Sequence, residues 1–425
     1  MKKKIKTSKK GIFLKLFSVI IIVGGLLYSS KYYSFQITTK NVSSAMASVS
    51  TGTSGDGLVS IADMRNDYTS SITNSQEKVR ILIVPGHEPD YGGAQFGSID
   101  ERNLVVTIGQ DLEQFLQTNN RYQVFITRDT QVWNPTFANY FQNNWNNISS
   151  WEKLARENAP KLTVFGAPIA VPVIHITDPT DVALRLYGII KWANENSIDI
   201  MIHLHLNDYP GHSSNTPGKY SGLVIYTPAQ QYANSSTTKA IASAIFNRLS
   251  LYNPISNLPI ESAGIIDDPE LIAIGANNTS NAASMLIEYE YIYEPQFVNP
   301  KVRDIALKDL AYQTYLGLQD YFNKNNTITA ASLYDPTSVY VWSAPVTNIK
   351  SNPDDIYAMQ TALIMDGDYP PAGKSRNDCP HSGTFGACTR AAIQAFQKKH
   401  DIASESVFGP KTFNLLKNIY DGKEN

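Results

Sequence analysis

Apolar positions along the chain fall into two alternating patterns. Val79–Pro85 (VRILIVP) is a continuous apolar run that stops at Pro-Gly, as a strand buried on both faces would. Over Glu101–Leu116 the apolar residues Leu104, Ile108, Leu112 and Phe115 recur at helical spacing. The alternation then repeats. A short strand is predicted over 124–127, an amphipathic helix over 181–196 and a strand over 198–206. A strand over 223–226, a helix over 238–249 and a strand over 284–289 follow. Strands alternating with helices predict an α/β fold with a mainly parallel sheet flanked by helices.

Several stretches break the rhythm and set the domain limits. Residues 30–76 are rich in Ser, Thr, Gly and Asn with little apolar periodicity, and read as a linker. A large α/β domain is placed at 77–325. Inside it, residues 131–180 are aromatic and rich in Asn and Pro, too long for a plain connection, and read as an inserted lid, binding loop or disordered excursion. Residues 326–352 read as a second linker. From Pro353 to about residue 420 the segments IYAMQTALIMDG, RAAIQAFQKKH and FGPKTFNLL predict a small C-terminal three-helix domain. No internal repeat is evident.

Charge changes the picture at one end. Six lysines fall within the first ten residues, and an apolar run from Leu16 to Tyr28 follows. Residues 1–29 therefore read as an N-terminal transmembrane segment, a membrane anchor or signal, with the lysine flank in the cytoplasm. A small-residue site at Ala45-Met46-Ala47 lies well beyond the apolar run, which favours an uncleaved anchor over secretion after cleavage. Either way the rest of the chain lies outside the cytoplasmic membrane. The net charge of −2 over 425 residues argues against a nucleic-acid binder. Two cysteines exclude a disulfide-dense scaffold and a four-cysteine zinc module.

Three predicted strands end in residues that can do chemistry. ILIVPG runs into His87, IMIHLHLN contains His203 and His205, and SMLIEYE contains Glu288. Ligands of open α/β sheets bind outside the carboxyl ends of the strands. Histidines and a carboxylate gathered there can hold a zinc ion and supply a base. Each signal has a plainer reading. A strand-end histidine can be a structural residue. Ser98 and Glu101 fit a capping box that opens the next helix. Glu288 and Glu290 alternate along one strand, so spacing does not choose between them.

The motifs in order narrow the choice. VPGHEPDYGGAQFGSIDERNLVVTIGQDL resembles the opening of the zinc-dependent N-acetylmuramoyl-L-alanine amidases, with Pro85, Gly86, His87, Gly93, Ala94 and Glu101 at the matching positions. The strand ending in Thr127-Arg128, the segment His205-Leu206-Asn207, the Gly222-led strand and Met285-Leu-Ile-Glu288 continue the resemblance over about 79–322. It implies that His87, Glu101 and His205 bind zinc and that Glu288 is the general base and acid. The reaction implied is hydrolysis of the amide between N-acetylmuramic acid and L-alanine in peptidoglycan. The chain departs from the family pattern at His203, where serine is usual, and at Glu290, where glycine is usual. His203 is left as a supporting partner of the ligands, an alternative ligand or a buried neighbour. His175, in the insertion, reads as a surface or loop residue.

Residues 353–419 resemble three-helix peptidoglycan-binding domains, on Met359-Gln360, Gly367-Asp-Tyr369, Phe396-Gln397 and Phe408-Gly409 among others. The same residues also serve as core and cap positions of any small helical bundle. Cys379 and Cys388, in its central loop, suit a disulfide in an oxidising exterior, with free thiols or a metal site with His381 as the other readings. The expected partners are peptidoglycan and, through the N-terminal segment, the membrane; a protein activator is left open. Two rival functions remain at this point: a catalytically inactive relative that binds wall or activates a hydrolase, and a zinc peptidase acting on stem peptides.

Overall fold

The computed structural model describes residues 61–70, 78–158, 163–164, 167–168, 180–323, 335–402 and 406–423. The expected membrane segment 1–29, His175 and most of the 30–76 stretch lie outside the described residues. Among the described residues no helix is long and apolar enough to cross a membrane.

The five apolar runs expected to be strands all lie in the sheet, and Ile265–Asp268, for which no strand was expected, adds a sixth. Its strands are β1 (Val79–Pro85), β2 (Tyr122–Ile126), β3 (Ile200–Asn207), β4 (Val224–Pro228), β5 (Ile265–Asp268) and β6 (Ala283–Tyr291). Their order is β2-β1-β3-β6-β4-β5. Pairing is parallel throughout except between β6 and β4. The period of two sends alternate side chains to opposite faces. Ile81, Ile83, Ile200, Ile202 and Leu204 pack on one side against α2 (Glu101–Gln117), α5 (Ser235–Tyr252) and α6 (Arg303–Phe322). Leu82, Val84 and Met201 pack on the other against α3 (Pro135–Asn158) and α4 (Thr180–Glu195). The sheet is thus covered on both faces, which is why its strands read as unbroken apolar runs.

Three stretches outside the strand–helix alternation also join the fold. In the described part of the insertion, α3 seals one sheet face with Phe137, Phe141 and Ile148. Its aromatic residues are core, so this part is neither lid nor excursion. Within the expected first linker, α1 (Ile61–Ser70) inserts Met64 and Tyr68 into the main core. Tyr68 stacks on Phe322 at 4.4 Å between ring centroids, beside Tyr122. Within the expected second linker, Trp342 and Val346 are buried in the C-terminal core, where the Trp342 indole N–H donates to the Ala344 carbonyl at 2.8 Å.

That C-terminal core is formed by α7 (Pro353–Met365), α8 (Ala387–Lys399) and α9 (Pro410–Tyr420). Cys379 and Cys388 are bonded to each other, which removes the free-thiol and metal readings. The domain is docked on the catalytic one. Tyr357 of α7 donates to Asp309 of α6 at 3.0 Å, and Val302, Ile305 and Ala306 are buried together with Tyr357. Asn377 meets Ser221 at 3.2 Å.

Candidate metal centre

The chain turns sharply after β1. Gly86 donates to the Leu204 carbonyl at 2.9 Å, and a Cβ there would collide with the His205 ring, so only glycine lets the two strands' ends approach. His87 follows with φ of 67°, in the left-handed region that non-glycine residues rarely occupy. Such strain persists where the surroundings over-determine it, and it clusters at functional sites. Here the buried Arg128 supplies the constraint. Its guanidinium donates to the carbonyls of Pro85 at 3.2 Å, Gly86, and Arg102 at 3.0 Å. One cation therefore ties the His87 turn to the first turn of α2.

Glu101 is the first residue of α2, and Asp100 stands at the N-cap without a side-chain cap bond. The capping-box reading of Ser98 and Glu101 is therefore not realised. Instead the carboxylate turns inward. Its Oε2 accepts from the Ala94 amide at 2.7 Å, and its Oε1 accepts from the Leu206 amide at 3.1 Å. Oε1 also lies 2.9 Å from His87 Nε2 and 3.0 Å from His205 Nδ1. The two imidazole rings stand edge to face, 4.8 Å between centroids. Burial alone would raise the Glu101 carboxyl, but the His87 and His205 rings beside it hold it well below the usual carboxylate range. Burial lowers His205, which favours the neutral imidazole that ligates metals.

One donor atom from each of His87, Glu101 and His205 lies within 4.8 Å of the others. Two imidazoles and a carboxylate are a donor set that zinc accepts, with a position left for water or substrate. His87 Nε2 is sealed from solvent and faces Glu101 Oε1. Two ring nitrogens and a carboxylate oxygen turned toward one point offer lone pairs that a cation accepts. The residues present fit a metal ion.

Glu288 lies on β6, paired in register with His205 of β3 and with Val224 of β4. Burial, then the Glu101 and Glu261 carboxylates, push it well above the usual range, and its Oε2 is buried without a partner. Glu290 does not share this environment. The β3–β6 register slips between Glu288 and Tyr291. Burial and the Glu294 carboxylate raise Glu290, while Gln296 bonds to it. Strict alternation placed both glutamates on one face, and the slip separates their surroundings. His203 stands outside the cluster. It is 1% exposed, and burial drives it down to about 3, so it is a neutral buried neighbour.

Several residues at this end carried no expected role. Glu88 pairs with Arg185 of α4 at 2.8 Å and so anchors the loop after His87. Asp208 pairs with His212 at 2.8 Å, just beyond β3. The Thr127-Arg128 motif was a usable signal for Arg128. Glu261, in the loop after α5, had no motif to mark it.

Residues 171–320 match the family described as N-acetylmuramoyl-L-alanine amidase, and residues 352–416 match the one described as "Putative peptidoglycan binding domain". The first match begins after His87 and Glu101, which join His205 through the fold. No curated protein matches the chain. Among solved structures, the amidase Ami1 from Mycobacterium smegmatis is 11% identical, with a TM-score of 0.39, covering 58% of this chain and 97% of that one. An N-acetylmuramoyl-L-alanine amidase from Clostridium difficile 630 is 16% identical, with a TM-score of 0.36, covering 59% and 99%. AmiC2 of Nostoc punctiforme is 15% identical, with a TM-score of 0.35, covering 57% and 96%. On the two family matches, the chain carries a domain of the N-acetylmuramoyl-L-alanine amidase family followed by a peptidoglycan-binding domain.

Proposed function

We propose that this protein hydrolyses the amide between N-acetylmuramic acid and L-alanine in peptidoglycan, with zinc held by His87, Glu101 and His205 and with Glu288 as general base and acid. What supports the assignment of residues is the register of Glu288 against His205, beside the three-residue donor cluster. A zinc ion there would polarise the scissile carbonyl and bring the pKa of a bound water toward ~7. Glu288 accepts the proton of the attacking water and passes it to the departing amine, which leaves poorly unless protonated. The Ala94 and Leu206 amides hold the Glu101 carboxylate in place, while Arg128 and Gly86 fix the turn that carries His87. The C-terminal domain keeps the enzyme on its polymer. Peptidoglycan and the Cys379–Cys388 disulfide both belong to an extracytoplasmic setting. The lysine-flanked apolar segment at the N-terminus would hold the enzyme at the membrane.

Digestion of purified sacculi tests this reading. New L-alanine amino termini without new glycan reducing ends are expected, together with near-stoichiometric zinc in the purified protein. Cleavage within the stem peptide, or intact sacculi with a zinc-loaded protein, would overturn it.

A further inference from the structure

Outside the donor cluster, one buried carboxylate gathers more hydrogen bonds than any catalytic role proposed above requires. Glu261 is 1% exposed. Its Oε1 accepts from the Tyr226 hydroxyl at 2.8 Å and the Asn207 amide at 3.1 Å. Its Oε2 accepts from the Ser256 hydroxyl at 2.5 Å, from the Tyr291 hydroxyl at 3.2 Å and again from Asn207 at 3.2 Å. Every one of these contacts is a donor aimed at the carboxylate, so both oxygens act purely as acceptors.

Three of the four donor residues come from three different strands, and Ser256 comes from the loop after α5. Asn207 ends β3, two residues past His205. Tyr291 ends β6, three residues past Glu288. Tyr226 lies in β4, paired with Leu286 of β6. The backbone ladder between β3 and β6 is regular up to the Glu288–His205 pair, slips, and resumes only at Tyr291–Asn207. Where the ladder slips, backbone bonds no longer fix one strand against the other. The two residues at which pairing resumes are both donors to Glu261. Side-chain bonds to one carboxylate thus hold the strand ends across the irregularity.

We propose that Glu261 is a positioning residue: it ties the ends of β3, β4 and β6 together and so fixes the His205 ring and the Glu288 carboxyl relative to each other. Its catalytic consequence rests on the amidase reading; its structural consequence for the donor cluster does not. Outer partners bonded directly to metal ligands restrict where the ligand can sit; Glu261 would do so one step removed, through the strand ends.

Glu261→Gln tests the proposal on the full chain. The amide replaces one accepting oxygen by an N–H₂ group; the hydroxyls can turn to accept from it but the Asn207 N–H₂ cannot, so the bonding is not kept whole. Cobalt(II) is the probe, read by its visible spectrum and by competition with a chelator. A folded variant is expected to show a changed cobalt spectrum, about tenfold weaker cobalt binding, and a kcat on soluble muropeptide that falls while KM holds. Tyr226→Phe removes one donor and keeps the ring, and it is expected to shift the same readouts in the same direction by less. It decides the matter if Glu261→Gln does not fold. A lower melting temperature with unchanged cobalt spectrum, cobalt affinity and kcat would overturn the proposal and leave Glu261 as a core tie. If the wild-type protein binds cobalt but leaves sacculi intact, the amidase reading fails and the cobalt spectrum and affinity alone judge Glu261. A wild-type protein that binds no cobalt overturns both.

Discussion

Glu288 stands opposite His205 in the parallel ladder between β6 and β3, and theirs is the last regular pair before the register slips toward Tyr291. The carboxyl and the imidazole to which the proposed function gives proton transfer and metal binding therefore come from neighbouring strands at one level. Glu288→Gln is expected to retain zinc but lose at least ~10²-fold in turnover, the usual scale for a positioned proton shuttle. Glu290→Gln removes a carboxyl with different neighbours, Glu294 and Gln296, and should change turnover far less. Metal content and single-turnover rates on both variants check this. A dead Glu290→Gln with a normal Glu288→Gln would show that the base sits two residues further along.

His87→Ala and His205→Ala are each expected to lose zinc and activity together while the domain stays folded, because each removes one donor of three. His203→Ser should keep its metal. Its cost falls on stability, on the order of 1–3 kcal/mol, since a buried ring is replaced by a small hydroxyl. Metal analysis alongside thermal melts separates the two behaviours. Full zinc in either alanine variant would remove that histidine from the ligand set.

Five of the six strands and α2 were legible because burial on both sheet faces writes itself as unbroken apolar runs, and one buried helix face as a spaced series; the short β5, which ends in two aspartates, carried no such run. Val79–Pro85 and the helix opening at Glu101 coincide with their expected limits. His87, Glu101 and His205, which the fold brings together, and Glu288 beside them were singled out by the resemblance to the amidase motifs; their places near strand and helix ends left each a plainer reading, and spacing did not choose between Glu288 and Glu290. What failed did so for local reasons. Strict alternation along β6 could not foresee the slip after Glu288. Polar composition around α1 hid Met64 and Tyr68, two core residues in a hydrophilic stretch. The role of Glu261 depends on three strands converging, and no local pattern announces that.

The C-terminal domain was expected to act as an appended binding module, yet its docking surface is buried. Deleting residues 353–425 uncovers Val302, Ile305 and Ala306, which are 0%, 7% and 2% exposed. The truncated protein is expected to melt lower than the full chain and to lose action on sacculi, since a binding domain raises local concentration on its polymer. It should keep its turnover on soluble muropeptides per folded molecule. Tyr357→Phe, which removes the hydroxyl bonded to Asp309, should cost about 1–3 kcal/mol, the range for taking one partner from a buried hydrogen bond. Calorimetry decides: a catalytic transition at the same temperature with and without the domain would mean that the contact contributes nothing.

His381 makes that same interface sensitive to acid. Its ring stacks on Tyr357 at 3.6 Å between centroids, and its Nε2 lies 3.0 Å from the Tyr357 carbonyl and 3.1 Å from the Thr361 hydroxyl. Its Nδ1 is buried with no partner, so a proton added there finds no acceptor. Burial lowers the folded-state value to about 3; the Tyr357 carbonyl opposes that shift and the Arg376 guanidinium adds to it. Because the folded value lies below the unfolded one near 6.5, the unfolded chain binds more protons between them. Stability from the neutral ring is therefore complete above pH ~6.5 and declines as pH falls toward ~3, with a limiting slope of about 1.4 kcal/mol per pH unit. His203 and other buried groups titrate in the same window, so the comparison must be between variants. His381→Phe keeps an aromatic ring against Tyr357 and removes the titrating nitrogens. Its denaturation free energy should fall less steeply than the wild type's from pH 6.5 to pH 4, by close to one proton's slope, whatever its value at pH 7.5. Parallel pH profiles for the two proteins would show that His381 is protonated without penalty, and that the interface opens to let the charge reach water.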